Sequence, residues 1–449
     1  MIDRLTIQRI MDAANIVDVI SEFVQLRKSG AHYKGKCPFH DDTTPSLIVT
    51  PARGIYKCFA CGESGDAVTF LMKHKGLSYP EAIKWLGDKY GIAIEENRPR
   101  VNRAEEAMYN LNAWASSHFE NNLILDSGTK GKEYFISRGF TEETIKTFHL
   151  GYALEDKSQL TIAAVREGFS RNTLQKTGLA YKGTNTNLVY DRFVDRVIFP
   201  WMNASGKVVA FGGRKLDAGS KGIEQKYINS CESPIFSKSN ELYGIYQAKH
   251  AITIANHAYI VEGYTDVISL HQAGVENVVA CSGCALSANH AKLLKRFCKN
   301  VTLMFDGDEA GLKAATHNIA PLLAEGINVK VIVLTNDVDP DTLAKTKTGE
   351  ELKAFLTSSA IDFFDFYTLY IINKETDIPS RSAAIADVCK IIDSIPDEIT
   401  KSQYVAECRH RFSIADDNTH GTESLAARMD KMEAEIAELK QLIKTLMPS

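Results

Sequence analysis

A chain of 449 residues, 44% hydrophobic and 24% charged, has the make-up of a folded globular protein of two to four domains. Its net charge of −4 does not by itself announce a nucleic-acid binder, yet residues 138–250 carry sixteen Lys/Arg against eleven Asp/Glu. No apolar run of about 18 residues suggests a membrane span, Met1-Ile2-Asp3-Arg4 is unlike a signal peptide, and nine cysteines without a signal speak against a disulfide scaffold, so the cytoplasm is expected.

Residues 6–14 and 16–23 repeat apolar positions at helical spacing: Ile7, Ile10 and Met11, then Val17, Val19, Ile20 and Phe23. Asn15 and Asp18 break or cap them. They read as helices bracing a cysteine-rich stretch, Cys37-Pro38-Phe39-His40 and, seventeen residues on, Cys58-Phe59-Ala60-Cys61. Three sulfurs and one imidazole in two such knuckles are the ligands of a closed, tetrahedral, structural Zn²⁺ site. No fifth ligand lies nearby to keep a position open for catalysis. Between the knuckles, residues 46–49 and 54–57 read as two ribbon strands, and Asp66 as the cap of a helix over 67–74. Lys34, Lys36, Arg53, Lys57, Tyr56 and Phe59 offer basic and stacking groups for a single nucleic-acid strand. Phe39 and Phe59 serve equally well as the small core of the ribbon.

Residues 97–104, polar around Pro99, read as a linker. Residues 105–256 are mixed α and β. A helix is expected over 108–123, and the runs 197–201 and 208–211 flank Asn203-Ala204-Ser205-Gly206 as a hairpin.

From residue 257 the pattern changes. The apolar runs 258–261 and 301–305 end in Glu262-Gly263-Tyr264-Thr265-Asp266 and Asp306-Gly307-Asp308. Between them lie a helical stretch (267–273), a third apolar run (278–280) and a second helical stretch (288–297). This is a βαβαβ rhythm of buried parallel strands, in which sites form at the carboxyl ends. A further run, 329–334, leads to Asp339-Pro340-Asp341. Clustered carboxylates repel unless a cation is present, and hard oxygen ligands suit Mg²⁺ or Mn²⁺ with incoming phosphates. The hypothesis is metal-assisted phosphoryl transfer, with Glu262, Asp306 and Asp308 as first-choice ligands and Asp266, Asp339 and Asp341 second.

Cys281 and Cys284 have redox-like spacing, but no partner pair of ligands lies close in sequence, so a plain structural role is favoured. Lys313 opens a helix over 312–324, either facing a phosphate or on a solvated face. Residues 346–415 read as helical, with breaks at Pro379 and Pro396. In 421–448, Leu425, Met429, Met432, Ile436, Leu439, Ile443 and Leu446 make a heptad seam suited to self-association.

The acidic motifs resemble the TOPRIM fold as it occurs in bacterial DNA primases. Tyr33 to His40, Thr44-Pro45-Ser46 and Cys58 to Asp66 resemble the zinc-binding domain of that family, which helps select where a primer starts. The resemblance continues through Tyr134 to Phe140, Asp191 to Pro200, Gly212-Gly213-Arg214, Lys226 to Ser230, Phe236-Ser237-Lys238 and Glu241 to Gly244. It implies a basic subdomain holding template and nucleotide phosphates through Arg138, Arg192, Arg196, Arg214, Lys226 and Lys238. Arg192 and Arg196, beside Asp191 and Asp195, are the ones most open to a partly structural role. The sequence departs from the family at Gly283-Cys284, where a Gly-Thr pair is usual. The family's C-terminal helicase-binding domain has no room here, which leaves any contact with a replicative helicase to the short heptad helix.

The expected architecture is multidomain α+β: a zinc ribbon (1–96), a linker (97–104), a basic α/β subdomain (105–256), a TOPRIM parallel sheet (257–345), a helical segment (346–415) and a short coiled-coil-like helix (421–448). The expected function is that of a DNA-dependent RNA polymerase making short primers de novo on single-stranded DNA from ribonucleoside triphosphates, by two-metal phosphoryl transfer. The rivals are a TOPRIM nuclease or topoisomerase and a non-catalytic zinc-ribbon DNA-binding protein. The absence of a Gly-x₄-Gly-Lys-Ser/Thr loop argues against a fused helicase motor.

Overall fold

A computed structural model describes residues 4–77, 79–94, 103–183, 188–216, 225–306, 308–334, 338–347 and 349–412. Most of the expected linker and all of the heptad segment lie outside these residues. The chain divides into two compact units, one drawn from 1–134, 149–235 and 246–256, the other from 135–148, 236–245 and 257–449.

The first unit opens with α1 (Arg4–Ala13) and α2 (Ile16–Ser21). Asn15 caps α2, its side-chain oxygen accepting from the Val17 N–H. An antiparallel ribbon follows, with strands adjacent in chain order: β1 (Arg27–Ser29), β2 (His32–Gly35), β3 (Leu47–Thr50), β4 (Ile55–Cys58) and β5 (Ser64–Gly65). Side chains alternate along β3 and β4, so Leu47, Val49, Tyr56 and Cys58 turn inward together. Asp66 caps α3 (Ala67–Lys75) by accepting from the Thr69 N–H, and α4 (Tyr79–Lys89) completes the cover. Phe39 joins this core, stacked on Tyr56 and edge-on to Phe70. Phe59 is 68% exposed instead. The two rings that the sequence leaves equivalent are therefore one core residue and one surface residue, and the buried Tyr56 ring is not available for stacking.

Next comes α5 (Arg103–Asn122), followed by α6 (Thr129–Ser137), α7 (Glu142–Thr147), α8 (Gln159–Arg166), α9 (Arg171–Lys176) and α10 (Ile245–Ala255). The strands among them are β6 (Gly151–Ala153), β7 (Ala180–Lys182), β8 (Val189–Asp191), β9 (Arg196–Met202), β10 (Val208–Lys215) and β11 (Tyr227–Asn229). β7 pairs with β8, and the other four form an antiparallel sheet in the order β11-β10-β9-β6. The β9–β10 hairpin turns where expected. Asn203 accepts from the Ser205 and Lys207 N–H groups, and Gly206 supplies the positive φ of 80° that a side chain resists. α5 is tied to this sheet by Asn112 donating to the Val209 carbonyl and Asn122 to that of Tyr152.

The second unit is built on β12 (His257–Val261), β13 (Val278–Ala280), β14 (Asn300–Phe305) and β15 (Asn328–Val333), all parallel. Their connections are α11 (Tyr264–Gln272), α12 (Ala288–Lys295) and α13 (Glu309–Ala324). The sheet order is β13-β12-β14-β15, with a short strand β16 (Ile361–Asp362) beside β15. The chain steps outward from β12 to β13, then returns across β12 to β14. In such sheets ligands usually bind where the strand order reverses, here at the carboxyl ends of β12 and β14. Segments before residue 257 belong to this unit: Tyr243 bridges to Ala280, and Gln272 accepts from the Thr141 N–H and the Thr144 hydroxyl.

α14 (Pro340–Thr346), α15 (Gly349–Ser359), α16 (Phe363–Phe366), α17 (Ile378–Asp393) and α18 (Glu398–Phe412) complete the described chain. The expected all-helical stretch is interrupted by β16 (Ile361–Asp362), which pairs antiparallel with β15 and covers its edge. Pro379 stands in the first turn of α17, where its missing N–H costs nothing, under an Asp377 cap.

Candidate functional site

The zinc quartet forms from strand ends and turns. Cys37 follows β2, Cys58 ends β4, and His40 and Cys61 lie in the adjoining turns. Their ligand atoms all lie within 4.8 Å of one another, the one such His/Cys/Asp/Glu group among the described residues. Cys37 Sγ is 3.8 Å from Cys61 Sγ, and His40 Nδ1 is 4.0 Å from Cys58 Sγ. A tetrahedral ion with bonds of about 2.3 Å to sulfur spaces its ligands by roughly 3.8 Å, so these residues fit Zn²⁺.

The sequence pattern gives no sign of Asp42. It accepts from the Cys37 N–H (2.7 Å), the Ser46 N–H (3.1 Å) and the Ser46 hydroxyl (2.7 Å), and lies 3.6 Å from His40 Nε2. A carboxylate behind the ligand imidazole orients the ring and fixes which nitrogen faces the metal. Burial would raise the Asp42 pKa, but the Cys37 and Ser46 hydrogen bonds outweigh it and hold it at about 2. Burial likewise pushes the Cys37 thiol up, and neighbouring Cys58 adds to that. For Cys58, hydrogen bonds from Cys61, Ser46 and Ala60 overcome burial and bring the thiol to about 6.

The acids gather at the carboxyl edge of the second sheet. Glu262 follows β12 and Asp306 follows β14. Asp308 caps α13, accepting from the Gly311 N–H at 2.7 Å, and Asp339 caps α14, accepting from Thr342 at 2.7 Å. Asp266, in the first turn of α11, accepts from the Gly263 N–H at 2.9 Å and so pins the turn that carries Glu262. Burial raises the Glu262 pKa, and Asp306 and Asp308 add repulsion. Burial raises Asp306 too, helped by Asp339 and Asp308. Asp266 is pushed to about 7, first by burial and then by Asp339, Asp341 and Asp306. Each of the six acids thus feels at least one of the others, though among the described residues they do not meet as closely as the zinc quartet.

Asp341 differs from the rest. It is 4% exposed and accepts from Arg138 (2.8 Å), Lys345 (2.8 Å) and the Ser269 hydroxyl. Two cations already neutralise it. We expect Asp341→Ala to cost about 1–3 kcal/mol in a urea melt, because it removes a buried acceptor shared by Arg138, Lys345 and Ser269. Unchanged stability with weakened binding of the divalent ion would instead make Asp341 a ligand.

The basic residues sort by environment. Arg192 donates twice to the Asn229 carbonyl, at 3.0 and 2.9 Å. Arg196 is buried and donates to the carbonyls of Gly213, Gln225 and Lys226. Asp191 and Asp195 turn elsewhere, to Leu160 and Thr161 and to Tyr152 and Lys130. Arg214 lies over the Tyr134 and Tyr227 rings and donates to both hydroxyls. Lys226 is exposed; Lys238 is half-buried, its carbonyl accepting from His290. Lys313 is exposed and pairs with Glu309 at 2.6 Å. Cys284 donates to the Cys281 carbonyl at 3.2 Å, and among the described residues no further ligands close a metal group around them. Between these cysteines Ser282 adopts φ 47° and bonds the Glu262 carbonyl, a tie that no sequence motif signals.

Comparison with known proteins covers each of these parts. Residues 2–102 match the family model of the CHC2 zinc finger, 118–249 that of the DNA primase catalytic core, N-terminal domain, and 259–344 that of a Toprim-like domain. A curated DNA primase of Clostridium acetobutylicum is 38% identical over 419 residues, which are 91% of this chain and 68% of that protein. That of Halalkalibacterium halodurans is 35% identical over 91% of this chain and 69% of its own length. The crystal structure of the Aquifex aeolicus primase (zinc binding and RNA polymerase domains) matches at 31% identity with a TM-score of 0.60, covering 91% of this chain and 97% of that one. A structure of a primase catalytic domain bound to ssDNA matches at 29% identity and a TM-score of 0.61, covering 70% of this chain and 98% of that one. Identity of this extent, spread over ribbon, core and acidic sheet alike, makes this chain a member of the DNA primase family.

Proposed function

We propose that the carboxyl edge of the second sheet is the polymerising centre, where ribonucleoside triphosphates are joined into short RNA primers on a single-stranded DNA template. Glu262, Asp306 and Asp308 hold the divalent ions, Mg²⁺ or Mn²⁺, with Asp266, Asp339 and Asp341 behind them. The observation that carries this is the contrast among the acids. Glu262 and Asp306 sit at the strand-order reversal with pKa values raised by burial and by their like-charged neighbours, whereas Asp341 is neutralised by Arg138 and Lys345. Bound there, divalent ions supply the charge that makes a hydroxyl nucleophilic and steadies departing pyrophosphate. The chain's own part is to hold the acids apart and in place: Asp266 fixes the Glu262 turn, and the α13 and α14 caps fix Asp308 and Asp339.

Arg138, Arg192, Arg214, Lys226 and Lys238 are proposed to hold template and nucleotide phosphates, with Arg196 supporting them from its buried site. In the ribbon, exposed Phe59 carries Lys57 over its ring at 5.3 Å, and exposed Lys34, Lys36 and Arg53 lie in the same module. A base stacked on this ring is worth about 1–3 kcal/mol. Phe59→Ala should therefore weaken single-strand binding by roughly tenfold or more in a fluorescence titration. An unchanged affinity would remove Phe59 from the template path. The enzyme is placed with its template and nucleotides in the cytoplasm. Pairing of two copies through residues 425–446 is a further proposal, which sedimentation would test, and a helicase contact there is another.

The deciding experiment is primer-free incorporation of labelled nucleotide on single-stranded DNA with Mg²⁺ or Mn²⁺. Short RNA products are expected. Metal-dependent nicking of the template without RNA would favour a nuclease, and binding without either reaction a scaffold.

A further inference from the structure

The C-terminal helices hold a pair of thiols that the polymerising centre does not use. Cys389 lies on α17 and Cys408 on α18, helices that pack on each other. Both side chains are 0% exposed, and their Sγ atoms are 3.3 Å apart. A disulfide needs about 2.05 Å between sulfurs, so closure asks for a shift of roughly an ångström shared by two side chains. We propose that Cys389 and Cys408 are a redox modification site, at which hydrogen peroxide closes a disulfide that staples α18 to α17.

The surroundings favour this reaction over simple burial of two inert thiols. Cys408 is the acidic partner: the hydrogen bond with Cys389 lowers its pKa, and Arg409 adds to the effect. Cys389 is raised, first by that same hydrogen bond and then by burial. One thiol thus donates to the other sulfur, an arrangement that eases loss of the acceptor's proton on the way to the reactive thiolate. Access comes from the modest anchoring of α18. Cys408 is its one fully buried residue. Side-chain contacts also hold it, among them Tyr404 to Asp362, Arg411 to Asp365 and Thr368, the Tyr404 ring on Phe363 and Phe364, and the Phe412 ring on Phe364. A helix held this way opens locally more often than the sheet, and each opening admits peroxide.

The chemistry balances without any other reactant. The Cys408 sulfur attacks peroxide, the O–O bond breaks, and the sulfur keeps one oxygen as a sulfenic acid while hydroxide leaves. The Cys389 sulfur then attacks that sulfenic sulfur. The S–S bond forms, the S–O bond breaks, and a second hydroxide leaves. The two thiol protons convert the hydroxides to two waters, so two thiols and one peroxide give one disulfide and two waters.

The test treats the full zinc-loaded chain with peroxide, alkylates it under denaturing conditions and maps peptides without reduction. The expected result is a cross-linked peptide joining residues 389 and 408, two hydrogens lighter than the free pair and restored by dithiothreitol. Alkylation of both cysteines should fall at least tenfold, and amide exchange in α18 should slow. Cys408→Ala must abolish the cross-link. Should that variant fail to fold, mapping of the wild type at graded peroxide decides alone. The zinc cysteines and exposed Cys231 serve as internal references for total oxidation. If 389 and 408 stay alkylatable while the references are consumed, or appear as separate sulfinic acids without a cross-link, the proposal is overturned.

Discussion

Replacing Asp306 with alanine is expected to reduce primer synthesis by about 10³-fold, some 4 kcal/mol of transition-state stabilisation, while leaving the protein no less stable. The two halves of this prediction come from the same geometry. Asp306 stands at the end of β14, where burial and then the charges of Asp339 and Asp308 raise its pKa. A carboxylate in that position is held against repulsion, so deleting it relieves strain in the metal-free protein. In the proposed reaction it would also remove an oxygen ligand from the divalent ions. Activity and thermal melting of wild type and variant, with and without Mg²⁺, separate the roles. Lost activity with an equal or higher metal-free midpoint assigns Asp306 to the reaction. A fall in both would make it a structural residue of the α13 turn.

Cys58→Ala is expected to release the zinc and unfold the ribbon while sparing the two larger sheets. Cys58 is 0% exposed, ends β4 and brings its sulfur to Cys37, His40 and Cys61. The ribbon's strands are two to four residues long and share a small core with α2, α3 and α4. Structural zinc contributes about 10–16 kcal/mol in isolated zinc-finger peptides, more than so small a core can replace. Hydrogen exchange should show protection lost over residues 27–65 and retained in β9, β10 and β12 to β15. De novo initiation should fall on the order of tenfold or more, with extension of an annealed primer affected less. A ribbon that keeps its protection after metal loss would show that packing of Phe39, Tyr56 and Phe70 suffices.

The zinc quartet is legible in the sequence because its geometry is local: two knuckles on two turns, joined by a hairpin. The β9–β10 hairpin is legible for the same reason, since Asn203 and Gly206 encode their own turn. Glu262 and Asp306 can be placed at strand ends because each directly follows an apolar run, and period and punctuation survive folding. The linear pattern therefore settles which elements exist and which chemistry stands at their ends.

How those groups divide their labour is settled by the folded chain. Strand order puts β12 beside β14, and so Glu262 near Asp306. Arg138 neutralises Asp341 from 203 positions away, which takes that acid out of the unpaired set. Arg196, a candidate phosphate ligand in one dimension, is buried among three backbone carbonyls in three. Asp42 has no motif of its own, yet it supports both a zinc cysteine and the zinc histidine. Cys389 and Cys408 meet because two helices pack face to face. Most of these partners are distant in sequence. Hydrogen bonds and Coulomb forces act over ångströms of space, and a linear pattern fixes those distances only within a turn or a hairpin.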